Sequence, residues 1–206
     1  MTRLRLLRIA LWGAVGLAGG TFVLWSTGHL PKPGSTPDPT ALWVKDIGGS
    51  FSLTSHTGKP FSDGDVKGRP FVLFFGFTSC PDVCPTTLYE LSKLMAKLGP
   101  KADRMQVLFV TVDPERDTPE RLASYLSSFD PRITGLTGTL AEVDAMTKTF
   151  KAYYRRVDTG DGDYTMDHTA AVYLMGPDGR FVATLDPHEA ESAQMGKLNR
   201  LLNAAL

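Results

Sequence analysis

The sequence predicts an α/β domain in which a βαβ unit is followed, after further helices, by a ββα unit. A hydrophobic segment long enough to cross a membrane precedes it. Three observations carry this. Two unbroken apolar runs of strand length, residues 71–77 and 107–112, flank a segment with helical spacing. Two more apolar runs, residues 170–175 and 181–185, flank Gly176-Pro177-Asp178-Gly179, a hairpin turn. A helical stretch from Glu189 to Leu206 closes the chain. Continuous apolar strands joined through a helix imply a parallel pair buried on both faces.

The N-terminal segment comes first. Arg3, Arg5 and Arg8 precede residues 9–28, which carry no formal charge. Twenty helical residues span roughly 30 Å, the thickness of a bilayer core. Residues 1–8 are expected in the cytoplasm by the positive-inside rule, and everything after Gly28 is expected outside it. A cleaved signal peptide is the rival, with Ala18 and Gly20 as small residues near a weak cleavage site. The apolar run continues through Phe22, Val23, Leu24 and Trp25, which favours an uncleaved signal anchor. No cysteine lies near it for lipid attachment, and no long Arg- and Ser-rich stretch precedes it as in a mitochondrial presequence. The expected location is a bacterial inner membrane, crossed once, with the soluble domain in the periplasm. That compartment permits disulfides.

Residues 29–41 read as a tether. Four prolines between Pro31 and Thr40 make it extended and semi-rigid, at about 3 Å per residue. Residues 42–206 form one domain by length. The chain carries 22 basic and 22 acidic residues. Without the three N-terminal arginines the balance is mildly acidic, so no nucleic-acid partner is expected.

Within the domain, Ser50 to Thr54 alternates in polarity and leads into a hairpin-like turn at Ser55-His56-Thr57-Gly58-Lys59. After strand 71–77, Pro85 suits the first turn of a helix that carries Leu88, Leu91, Leu94, Met95 and Leu98 and ends near Gly99-Pro100. After strand 107–112, Thr118 is an N-cap with Pro119 at the first helical position, and the helix runs to Phe129. Another helix covers residues 140–150. A βαβ unit, a later ββα unit and cysteines after the first strand together make the thioredoxin plan.

Cys80 and Cys84 are the only cysteines. They follow the first strand of the βαβ unit, near a helix N-terminus, where the helix dipole favours a thiolate and is expected to lower its pKa. Three residues separate them, whereas a thioredoxin redox motif has two. The extra residue leaves room for a metal between the sulfurs. Pro81 and Pro85 bracket the motif, so residues 80–84 are expected as a loop with Cys84 near the N-cap. Thioredoxins place a cis-proline just before the strand corresponding to residues 170–175. Here Met166-Asp167-His168-Thr169 stands there, so His168 would face the cysteines. Two thiolates and an imidazole suit a thiophilic metal, Cu(I) or Zn(II). Three-coordination favours copper, since structural zinc closes a tetrahedron.

The chain resembles the Sco/SenC family of membrane-anchored copper proteins. The residues that carry the resemblance are Gly76-Phe77-Thr78-Ser79-Cys80-Pro81-Asp82-Val83-Cys84-Pro85, then Val112-Asp113-Pro114-Glu115-Arg116-Asp117-Thr118-Pro119, then Asp167-His168-Thr169. The resemblance implies a thioredoxin-like fold with an added N-terminal β-hairpin. It implies a copper site, as Cu(I), Cu(II) or both, made by Cys80, Cys84 and His168. It further implies help in metallating the binuclear copper centre of cytochrome c oxidase subunit II, and leaves open whether a second periplasmic copper chaperone works beside the chain. The alternative is a thiol–disulfide oxidoreductase that uses Cys80 and Cys84 as a redox pair and keeps the cysteines of that target reduced. Disulfide exchange needs no histidine at position 168, whereas copper binding uses it.

Other candidates carry less. A plain structural disulfide would close too short a loop to restrict the unfolded chain much. His29 and His56 are expected to be bystanders, and His188, after Asp186-Pro187 at a helix start, is expected as a cap-region residue. The segment 113–117 reads equally as a helix-capping loop and as a docking surface. The acidic, glycine-rich stretch 158–167 does not fit a calcium loop and is expected as a mobile, solvated loop leading into His168. No hydrolase triad, P-loop, dinucleotide fingerprint or peroxidase set is present.

Overall fold

A computed structural model describes residue 12, residues 47–160 and residues 162–203. The expected cytoplasmic end, membrane span 9–28 and tether 29–41 therefore lie outside the described residues, Trp12 excepted. Among the described residues no helix is long and apolar enough to cross a membrane.

The strands are β1 (Ser52–Ser55), β2 (Pro60–Ser62), β3 (Phe71–Gly76), β4 (Gln106–Thr111), β5 (Ile133–Thr137), β6 (Tyr154–Asp158), β7 (Tyr164–His168), β8 (Val172–Met175) and β9 (Phe181–Leu185). The helices are α1 (Asp63–Val66), α2 (Val83–Leu98), α3 (Pro119–Leu126), α4 (Leu140–Thr149) and α5 (Glu191–Asn203), with a 3-10 turn at Gly99–Arg104. Seven strands form one sheet in the order β2-β1-β5-β4-β3-β8-β9, and β6 and β7 form a separate two-stranded sheet.

β3 is the centre of the design. Every residue of FVLFFG is buried, because β4 pairs with it in parallel on one edge and β8 antiparallel on the other. Phe71, Phe74, Phe75, Phe77 and Phe109 are almost wholly removed from water, and each such side chain contributes about 1.5–3 kcal/mol by burial. The parallel β3–β4 pair with α2 between them is the βαβ unit, and the β8–β9 hairpin followed by α5 is the ββα unit. The β1–β2 hairpin extends the sheet by pairing β1 antiparallel to β5.

Local chemistry explains the helix boundaries. Thr118 accepts a hydrogen bond from the Arg121 N–H at 3.3 Å, with Pro119 in the first turn of α3. Thr139 and Glu142 form a reciprocal capping box at the start of α4. α3 ends at Leu126, three residues short of the expected Phe129, in a tightened turn where the Phe129 N–H bonds to the Leu126 carbonyl.

Beyond such helix boundaries and the short α1, two strand features depart from the sequence expectation. β5 was not anticipated; it joins the sheet parallel to β4. Residues 154–168 form a β-hairpin rather than a mobile loop, with His168 paired to Tyr154 and Asp158 to Tyr164. Only residues 159–163 lie between its strands.

Candidate metal centre

Cys80, Cys84 and His168 converge, with Cys80 Sγ, Cys84 Sγ and a ring nitrogen of His168 all within 4.8 Å of one another. Both cysteines are free thiols. Three different elements deliver these side chains. Cys80 lies in the loop after β3. Cys84 is the second residue of α2, which starts at Val83 with Asp82 as N-cap, so the helix begins two residues earlier than the expected loop over residues 80–84 allows. His168 is the last residue of β7.

Cys84 is fully buried and Cys80 half-buried. The Cys84 N–H points to Cys80 Sγ at 3.5 Å. The free amide of the helix's first turn is therefore aimed at Cys80 rather than at Cys84. Burial pushes the Cys84 thiol far above its ordinary pKa, and a hydrogen bond from the Phe77 backbone opposes this only in part. The expected lowering by the helix terminus is thus outweighed at Cys84, because removing a thiolate from water costs more than the dipole returns.

His168 is set up as a neutral donor. Its Nδ1 lies 3.1 Å from the Thr169 carbonyl oxygen. A carbonyl can only accept, so Nδ1 carries the proton and Nε2 holds a lone pair. Nε2 is the nitrogen 3.5 Å from Cys84 Sγ. Burial lowers the imidazole pKa, against smaller raising effects of the Thr169 hydrogen bond and Asp167, which favours this neutral form. Phe74 and Phe77 pack against the half-buried ring in T-shaped contacts, at centroid distances of 6.1 and 5.8 Å.

Support for the site comes from residues 113–117, which the sequence left open between a helix-capping loop and a docking surface, and from Thr78, Thr111 and Arg121. Asp117, fully buried, accepts hydrogen bonds from the Thr78 N–H (2.9 Å), Thr78 Oγ1 (2.6 Å) and Thr111 Oγ1 (2.6 Å). Thr78 stands two residues before Cys80. Arg121 donates to Thr78 Oγ1 at 2.8 Å and to Ser79 Oγ at 3.0 Å. On the histidine side, Tyr164 donates its hydroxyl to Asp113 Oδ1 at 2.8 Å. Burial and that hydrogen bond push the Tyr164 pKa up to about 12, so it remains a donor at neutral pH. The acidic and hydroxyl residues were visible in the sequence, but only the fold shows which of them meet.

Of the other histidines, His29 lies outside the described residues, and His56 and His188 are not part of this cluster. His56 Nδ1 accepts the Gly135 N–H at 3.0 Å across the β1–β5 junction, and the His188 N–H bonds to Asp186 Oδ1 at 2.8 Å in the turn before α5.

Comparison with known proteins places this arrangement. The SCO1/SenC family profile matches residues 40–203. The mouse mitochondrial SCO1 homologue is 42% identical over 139 residues, covering 66% of this chain and 49% of that protein. The mitochondrial SCO2 protein of Saccharomyces cerevisiae is 35% identical over 211 residues, covering 98% of this chain and 70% of that one. The chain thus spans about half the length of the mouse and human SCO1 homologues it matches. ScoI of Bradyrhizobium japonicum, solved with copper bound, superposes with a TM-score of 0.71 at 47% identity, covering 75% of this chain and 99% of that one. Yeast Sco1 with copper bound gives 0.70 at 36% identity, covering 77% and 90%. With a family match over most of its length and a thioredoxin-like fold shared with these solved structures, the chain belongs to the SCO1/SenC family.

Proposed function

We propose that this protein binds copper as cargo through Cys80 Sγ, Cys84 Sγ and His168 Nε2 and delivers it during assembly of cytochrome c oxidase, to the binuclear copper centre of subunit II. The observation that carries the reading is the convergence of two free thiols and a lone-pair imidazole nitrogen within 4.8 Å. The donor set fits copper: two soft thiolates select Cu(I), and three ligands satisfy it without a fourth protein group. Binding releases the thiol protons, so the high pKa of Cys84 makes uptake depend on the metal itself stabilising the thiolate.

Residues 9–28 anchor the protein in a bacterial inner membrane, the proline-rich tether spaces the domain from it, and the domain works in the periplasm. The arginines before the apolar run and its length support this placement.

A second reading uses the same sulfurs. Cys80 is half-exposed and Cys84 buried, an arrangement in which the outer thiol meets a partner disulfide and the inner one resolves the mixed disulfide. In that reading the chain loses two electrons and two protons as Cys80 and Cys84 join, and the target's disulfide gains them.

Metal analysis of the reduced protein separates the two. One copper per chain is expected, lost in Cys80→Ser and in Cys84→Ser and weakened in His168→Ala. A His168→Ala protein with unchanged copper affinity would remove the histidine from the site and favour the disulfide reading.

A further inference from the structure

The strand that carries His168 belongs to a sheet of two, and among the described residues no backbone ladder joins β6–β7 to the seven-stranded sheet whose strand β3 leads into the cysteines. An isolated two-stranded hairpin is marginal in water. The hairpin therefore needs side-chain ties if His168 is to stay 3.5 Å from Cys84.

Those ties converge on Tyr164. Its hydroxyl bonds to Asp113 Oδ1 at 2.8 Å, and its carbonyl accepts Arg116 Nη1 at 2.9 Å. Arg116 also donates Nε to Asp113 Oδ2 at 2.5 Å, so the two partners of Tyr164 hold each other. The Arg116 guanidinium lies 3.7 Å from the Tyr164 ring centroid and that of Arg156 lies 3.6 Å from it. Two cations cannot share one face at that distance, so the ring is clasped from both sides. Tyr164 and His168 are four residues apart on one strand and so lie on the same face of it.

The anchor point of this clasp is itself tied to the cysteines. Asp113 and Asp117 bracket one turn, in which the Asp117 N–H bonds to the Asp113 carbonyl at 2.9 Å. Asp117 in turn fixes Thr78, just ahead of Cys80.

We propose that Tyr164, clasped by Asp113, Arg116 and Arg156, is a positioning residue that sets the distance between His168 and the cysteine pair. The turn 113–117 is the common frame for both halves of the site. Tyr164 touches no metal ligand's donor atom in this role; it acts through the strand it shares with His168. The copper arm of the proposal rests on the function proposed above, and the metal-free arm does not.

The test uses the full chain, as wild type, Tyr164→Phe, His168→Ala and the double variant. Tyr164→Phe keeps the ring and removes the bond to Asp113. Arg156→Gln, which alters an exposed side chain, is the second variant should the first fold poorly. In metal-free protein, amide exchange across residues 164–168 should quicken about tenfold in either variant while β3 is unchanged. Unchanged exchange there would overturn the proposal whether or not the protein binds copper. With Cu(I) as probe and a competing chelator, Tyr164→Phe should weaken binding about tenfold in the wild-type background and not at all in the His168→Ala background. An equal loss in both backgrounds would show that Tyr164 does not act through His168 and would also overturn it. A wild-type protein that takes up no Cu(I) would defeat the copper reading, and the exchange result alone would then decide for or against the clasp.

Discussion

Gly76 ends β3 directly behind the cysteines, and a single methyl group there should disturb both packing and site. A Cβ on Gly76 would stand 2.6 Å from Phe109 Cε2 and 2.8 Å from Cys84 Sγ, against an ordinary contact of 3.4–4 Å. Neither neighbour is free to yield, since both are fully buried. The backbone is held as well, because the Val112 N–H bonds to the Gly76 carbonyl at 2.8 Å. The strain is that of an overpacked core, about 1–3 kcal/mol. To relieve it the sulfur must move by roughly half an ångström or more, a displacement that matters to a ligand set held at fixed separations. Gly76→Ala is therefore expected to lower the urea midpoint with unchanged m-value and to weaken Cu(I) binding about tenfold. Adding Cys84→Ala should return part of the lost stability, because it removes one of the two clashing atoms. A Gly76→Ala protein with unaltered midpoint and chelator competition, or strictly additive losses in the double variant, would refute the reasoning.

Further outcomes follow from other parts of the molecule. Thr139→Ala breaks the capping box of α4 and should cost about 1 kcal/mol in denaturant unfolding, leaving copper binding untouched. The Arg132 guanidinium holds the Asp130 carboxyl below the usual carboxylate range, so its contribution to stability is complete above the unfolded pKa and fades as pH falls through the folded one. Wild type should accordingly exceed Asp130→Asn in melting temperature at neutral pH, with the gap closing below about pH 4; a gap that widens in acid would contradict this. Oxidising Cys80 and Cys84 to a disulfide removes both thiolates and should stop copper uptake; copper retained at zero titratable thiol would take the cysteines out of the site. Compartment-specific reporters fused after Thr40 should be active only outside the cytoplasm and remain membrane-bound, whereas a soluble product starting near Thr21 would support cleavage instead.

The central strands were legible because burial on both faces leaves an unbroken apolar run, as in residues 71–77. Helix starts were legible where capping chemistry is local, as at Thr118-Pro119. β5 was not, because Gly135 interrupts a short run whose strand character comes from pairing with β4. The β6–β7 hairpin was hidden for a related reason. Its residues are largely half-buried or exposed, so YRRVD and YTMDH lack an apolar signature. In the site, Cys80, Cys84 and His168 could be named from chemistry and resemblance. The thiol pKa of Cys84 could not be read, since it depends on how deeply α2 buries the sulfur. Nor could Asp117, whose partners Thr78 and Thr111 are 39 and 6 residues away and meet it only through the β3–β4 pairing.

Cys84 and His168 lie 84 residues apart in the chain and belong to parts of the molecule with no backbone ladder between them among the described residues. An ion gripped by both would be a removable cross-link closing that long loop. Its binding free energy would be shared with the fold: at a hundredfold excess over the dissociation constant, about 2.7 kcal/mol of added stability. Loading and unloading would then change the resistance of the β6–β7 hairpin to local opening, so that the domain's own breathing reports whether it is carrying its cargo.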